Sequence, residues 1–102
     1  MLMSAEFDTA VDIVASRWGI EPDVLINSGR SPRYVSARRT VYLVLNRLDW
    51  SLHEIGREFG KCHTTVWHHL HNVHPVETAF AERVVAFLNE QRAEVERRGL
   101  DG

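Results

Sequence analysis

A single cysteine, Cys62, leaves no partner for an internal disulfide and suits a reducing compartment. No apolar run approaches the roughly 18 residues a membrane helix requires. The opening residues, MLMSAEFDTAVD, carry acids where a signal or transit peptide carries bases, so neither is expected. No stretch alternates apolar and polar residues between turn formers, which argues against strands. The common chemical motifs are missing too. There is no G-x-x-x-x-G-K-[ST] loop for a nucleotide, no H-E-x-x-H and no C-x-x-C. No nucleophile–base or carboxylate pair stands out either, so an enzyme is not expected. What remains is a cytoplasmic binding protein with no cofactor.

The composition is that of one ordinary globular domain, residues 1–102, with 44% hydrophobic and 25% charged residues. A net charge of −2 disfavours nucleic acid at first sight, but the charge is uneven. Residues 1–27 set Glu6, Asp8, Asp12, Glu21 and Asp23 against Arg17, a balance of −4. Residues 28–66 set six arginines and Lys61 against Asp49, Glu54 and Glu58, a balance of +4. A basic middle between acidic flanks suits a chain that turns one face to phosphate. A solvated positive face with no partner would look the same by charge alone.

Helical periodicity runs through the chain. Ser4 is placed to cap a first helix whose Phe7, Val11, Val14 and Trp18 share a face, with Gly19 to end it. Pro22 opens a short helix to about Ile26, and NSGRSPRY, residues 27–34, reads as an exposed loop. A third helix is expected from about Val35 to Leu48. Ser51-Leu-His-Glu54 forms a capping box ahead of Leu52, Ile55 and Phe59, and Gly60 terminates that fourth helix. A fifth begins near His63 with Val66, Leu70 and Val73 inward. Pro75 opens a last helix to about Arg98 that buries Val76, Phe80, Val84 and either Phe87 or Leu88, leaving residues 99–102 frayed. The result is an all-α cluster of five or six helices, with a helix-turn-helix at 51–74 and a C-terminal helix at 75–98. A polar tip (Lys61, Cys62, His63, Thr64) on a helix with an apolar back is what entering a major groove demands.

SLHEIGREFG followed by KCHTTVWH, residues 51–68, resembles the C-terminal DNA-binding domain of the bacterial replication initiator DnaA. Upstream, IVASRWGIEPDVLI and GRSPRYVSARRTVYLVL resemble that family's opening helix, arginine-rich loop and central helix, so the likeness covers about residues 11–74. The resemblance implies a Trp-repressor-like helix cluster that binds double-stranded DNA. It places Arg30, with Arg33 as second choice, in a minor groove, and Cys62, His63 and Thr64 at major-groove base edges. Thr65 matches a phosphate contact, and Arg38, Arg39, Arg47 and Lys61 are further phosphate candidates. His53 stands where the family often has a residue touching DNA, or is a plain exposed first-turn residue; its neighbour Leu52 is a further DNA-binding candidate, and His68 is a surface histidine near the backbone. Cys62 replaces an aspartate, so the sequence read is expected to differ from the family's usual site. The turn is one residue shorter than the commonest form, and His71 and Asn72 replace basic residues, which weakens phosphate anchoring. As a free-standing copy of such a domain, the chain is expected to regulate replication or transcription for a phage or mobile element by occupying sites.

Other readings compete. Five histidines in residues 63–74 beside Cys62 invite zinc, though without a recognised spacing. Trp18, Trp50 and Trp67 are read as core or hinge packing rather than base-stacking platforms. Arg57 with Glu54 and Glu58 reads as a surface charge network. Cys62 at a helix N-terminus is a candidate redox-sensitive thiol. The acidic flanks allow a protein-interaction module instead of a DNA reader, and Val73, Val76, Phe80, Val84 and Phe87 approximate a homodimer seam on the last helix.

Overall fold

The computed structural model describes residues 2–27 and 29–101, and the side chains of residues 5–27 and 29–99. Six helices follow one another: α1 (Leu2–Trp18), α2 (Pro22–Asn27), α3 (Pro32–Arg47), α4 (Leu52–Phe59), α5 (His63–Leu70) and α6 (Pro75–Asp101). No strand occurs among the described residues. The architecture is all-α, as the periodicity implies.

Helix α1 buries Phe7, Val11 and Val14 and sets Trp18 edge-on against Phe80 at 5.6 Å. It begins before Ser4, which therefore does not cap it; the Ser4 side chain lies outside the described residues. Helices α1, α3 and α4 end alike, in a left-handed residue followed by an amide that reaches back five positions. Those bonds are Ile20 N to Ala15 O at 2.9 Å, Trp50 N to Leu45 O at 3.0 Å and Lys61 N to Gly56 O at 2.8 Å. In α3 the left-handed position is held by Asp49, at φ 73°.

Helix α3 starts at Pro32 rather than Val35, which shortens the arginine loop and puts Arg33 in the first helical turn. The residues read as turn formers are its start signal. Ser31 is the N-cap, accepting from Tyr34 N at 3.4 Å, and Pro32 takes the first helical place, where a missing N–H costs nothing. Ser28 of that loop lies outside the described residues. Ala37 and the run Thr40 to Leu45 are buried, because α3 is the central rod against which all five other helices pack.

The last helix departs most from its apolar pattern. It continues beyond Arg98 to Asp101; Gly102 lies outside the described residues. Val76 is 59% exposed and Phe87 47% exposed, while Glu77, Ala81, Val84 and Leu88 are buried. The seam considered for a homodimer is thereby split, since Val84 sits in the chain's own core.

Glu77 anchors this inward face at its N-terminal end, in line with Ala81, Val84 and Leu88. Its carboxylate is fully buried and takes Ser36 Oγ on Oε2, His74 N on Oε1 at 2.9 Å, and Arg39 Nη1 at 3.0 Å. One acid thus caps the first turn of α6 and ties it to α3. A second ion pair, Arg92 with Glu6, ties α6 to α1, and the same guanidinium donates to Leu48 O at 3.1 Å. A buried carboxylate needs such partners, and losing it would leave Arg39 uncompensated. Glu77→Ala should therefore cost about 3–5 kcal/mol, read as a lower urea midpoint; a loss below about 0.5 kcal/mol, typical of a surface site, would contradict this role.

Candidate nucleic-acid interface

The capping box at the start of α4 is complete: Glu54 N donates to Ser51 Oγ at 3.1 Å, and Ser51 N to Glu54 Oε1 at 2.8 Å. The Ser51 amide holds the Glu54 carboxyl below its ordinary range, with the Arg57 charge a minor contributor. Ile55 and Phe59 are buried and Leu52 is half-buried, so the stripe docks α4 while His53 stays outside. Gly60, at φ 63°, turns the chain back toward α4. The return is close. A Cβ on Gly56 would lie 2.4 Å from Lys61 O, so only glycine lets the turn fold against the helix. Sequence reasoning passed over Gly56; its signal was a glycine inside an otherwise well-formed helix.

The turn delivers Lys61, Cys62, His63 and Thr64 to the surface, with Thr65 half-buried behind them. Cys62 is the N-cap residue of α5, with Sγ 3.8 Å from His63 Nδ1. The Thr64 amide, then its hydroxyl, hold the Cys62 thiol below its ordinary range. His53 stacks on His63 at 4.1 Å between ring centroids, which joins the first turns of α4 and α5. Val66 is buried and Leu70 half-buried, leaving Thr64, His68 and His71 along the outer face. Trp50 is buried and Trp18 half-buried, but Trp67 is 45% exposed and not a core residue. Its ring carries His71 stacked at 3.8 Å and His68 edge-on at 5.2 Å. Among the described residues, no three His, Cys, Asp or Glu side chains group as a metal site.

The arginines separate into two sets. Arg30 and Arg33 are exposed, Arg33 with its guanidinium 5.5 Å from the Tyr34 ring centre. Arg47 is half-exposed and lies 4.0 Å from a more open Glu82. Arg39 is held by Glu77, and Arg38 donates to Leu25 O at 3.2 Å and to Gly29 O. Both were phosphate candidates, and both have internal partners. A polar cleft of about 190 Å³, lined by Ile26, Asn27, Gly29, Arg30, Arg38 and Lys61, brings the arginine loop beside the helix-turn-helix. Arg30 and the tip of α5 therefore border one surface.

Residues 7–73 match the family model described as bacterial DnaA protein helix-turn-helix. The chain belongs to that family. Over 61 residues it is 43% identical to the chromosomal replication initiator protein DnaA of Deinococcus deserti, covering 59% of this chain and 13% of that protein. Over 56 residues it is 43% identical to the same-named protein of Deinococcus radiodurans, covering 54% of this chain and 12% of that one. The chain thus matches about an eighth of these relatives' length. No solved structure matches it. No described helix is long and apolar enough to cross a membrane.

Within this DnaA-family helix-turn-helix, His69 points inward from α5, its ring 5.5 Å from that of Tyr42 on α3. Burial, then the charges of Arg39 and Arg38, hold its pKa below the ordinary value, against a smaller opposing effect of Glu77. The folded state therefore favours neutral His69. Its stabilising effect is complete above the unfolded pKa of about 6.5 and is lost as pH falls through the lower folded value. His69→Asn should flatten the dependence of the urea midpoint on pH just below about 6.5; the same slope in both proteins would contradict this.

Proposed function

We propose that this chain binds double-stranded DNA sequence-specifically, with the first turn of α5 in a major groove and Arg30 in the adjoining minor groove. The observation that carries the reading is the shared surface: Arg30 and Lys61 line one cleft, and Lys61 leads into the exposed tip of α5. His63 and Thr64 read base edges, the Thr64 methyl on a thymine and His63 as donor or acceptor by tautomer. Lys61, Thr65, Arg33 and the half-exposed Arg47 meet phosphates, with Leu52, His53 and His68 at the margins. Arg39, fixed on Glu77, has a structural role instead. Cys62 lacks the acceptor strength of the family's aspartate, so discrimination for cytosine is reduced by about 1–3 kcal/mol at that position. By occupying sites the protein regulates replication or transcription.

One observation favours a second reading, a protein-interaction module. Phe87 and Val95 stand exposed beside a largely apolar groove of about 220 Å³ between α1 and α6. Duplex titrations at rising salt separate the two. DNA binding gives a log–log slope near −0.9 per neutralised phosphate, whereas no binding at about 50 mM salt would end the DNA reading. His63→Ala should weaken binding to a duplex selected from a random pool by roughly tenfold while sparing random-sequence binding; equal losses on both would remove its base-reading role.

A further inference from the structure

Arg30 can enter a narrow groove productively only if the backbone that launches it is already in place, because ordering a loop on binding costs affinity. The residues around Arg30 are held from several directions. On its C-terminal side Ser31 caps α3 by accepting from Tyr34 N. On its N-terminal side Gly29 adopts φ 92° and lies so close to the Tyr34 ring that a Cβ there would be 1.8 Å from Cδ2. The Gly29 carbonyl is taken by Arg38 Nη2, and Arg38 Nη1 takes the carbonyl of Leu25, a fully buried residue of α2. One planar guanidinium on α3 thus bridges the end of α2 to the loop, with two donors set in a fixed fork.

We propose that Arg38 is a positioning residue for minor-groove reading: it fixes the Gly29 carbonyl so that Arg30 is presented in a set direction. This inference rests on the duplex-binding reading above. It also gives Arg38 a different role from the phosphate contact its sequence position suggests. A lysine keeps the charge that a phosphate contact needs, but as a point donor it cannot span two carbonyls in the fork geometry.

The test uses the full chain and a duplex selected with it from a random pool. A·T pairs under the arginine loop are replaced in turn by G·C, or by inosine·cytosine, which lacks the guanine amine and so keeps the A·T pattern of the minor groove. The wild type should tolerate inosine·cytosine and lose roughly tenfold on G·C at one or more positions. Arg38→Lys should shrink that difference to about twofold or less, with the salt slope unchanged within the roughly 0.9 that one phosphate contributes. Gly29→Ala, whose Cβ would meet the Tyr34 ring at 1.8 Å, shifts the loop backbone without altering Arg38 and should do likewise, which keeps the inference testable should one variant fold poorly. Full discrimination by Arg38→Lys, beside a discriminating wild type, would overturn the inference alone. A wild type that binds no duplex would overturn the underlying reading and the inference with it.

Discussion

A carboxylate shut away from water must have its charge and lone pairs met by protein donors, and Glu77 meets that demand at the junction of α3 and α6. The arrangement anchors the inward face of α6, and so the packing of the longest helix on the central one. Arg39 is drawn into the core side of α3, and its charge in turn helps keep His69 of α5 neutral. Neighbouring Arg38 braces the other end of the domain, holding α2 and the loop that bears Arg30. Consecutive residues of one helix thus link the core to both sides of the proposed interface. The outer residues of α5 and the loop are left with few internal duties.

The elements readable from sequence are those whose signals are local. The Ser51–Glu54 box, the left-handed Gly60 and the prolines opening α2 and α6 depend on neighbours within a few positions, and all are present. The start of α3 was obscured because Ser31 and Pro32 serve equally as turn formers and as a cap and first helical residue. Glu77 was not legible at all. An apolar pattern counts hydrophobic residues, and an acid buried by partners at Ser36 and Arg39, some forty positions away, leaves no periodic trace. Val76 was consequently assigned inward, although the helix turns it to solvent.

The same blindness affected the candidate site. Lys61, Cys62, His63 and Thr64, carried by the local turn, and Arg30, placed by the family resemblance, are all exposed, with Arg30 and Lys61 on one cleft. The arginines of α3 look alike in sequence and differ in fate, because carbonyls and a carboxylate from distant segments claim two of them. Fewer guanidinium groups are therefore turned toward phosphate than the basic middle of the chain suggests, and the charge of Arg39 is offset by the Glu77 carboxylate. Under the proposed duplex reading, that balance predicts a modest, salt-sensitive grip with selectivity from a few polar side chains. Trp67 with stacked His71 adds an aromatic ridge to the outer side of α5, where core or hinge packing had been expected.

The most direct test of the shared surface is amide chemical-shift mapping of the labelled protein during titration with a selected duplex. Binding as proposed perturbs the amides around Arg30 together with those from Gly60 to Thr65, in parallel and at one apparent affinity, while the α1–α6 groove near Phe87 stays unchanged. Perturbation confined to that groove, or of α5 without the Arg30 loop, would contradict the two-groove interface.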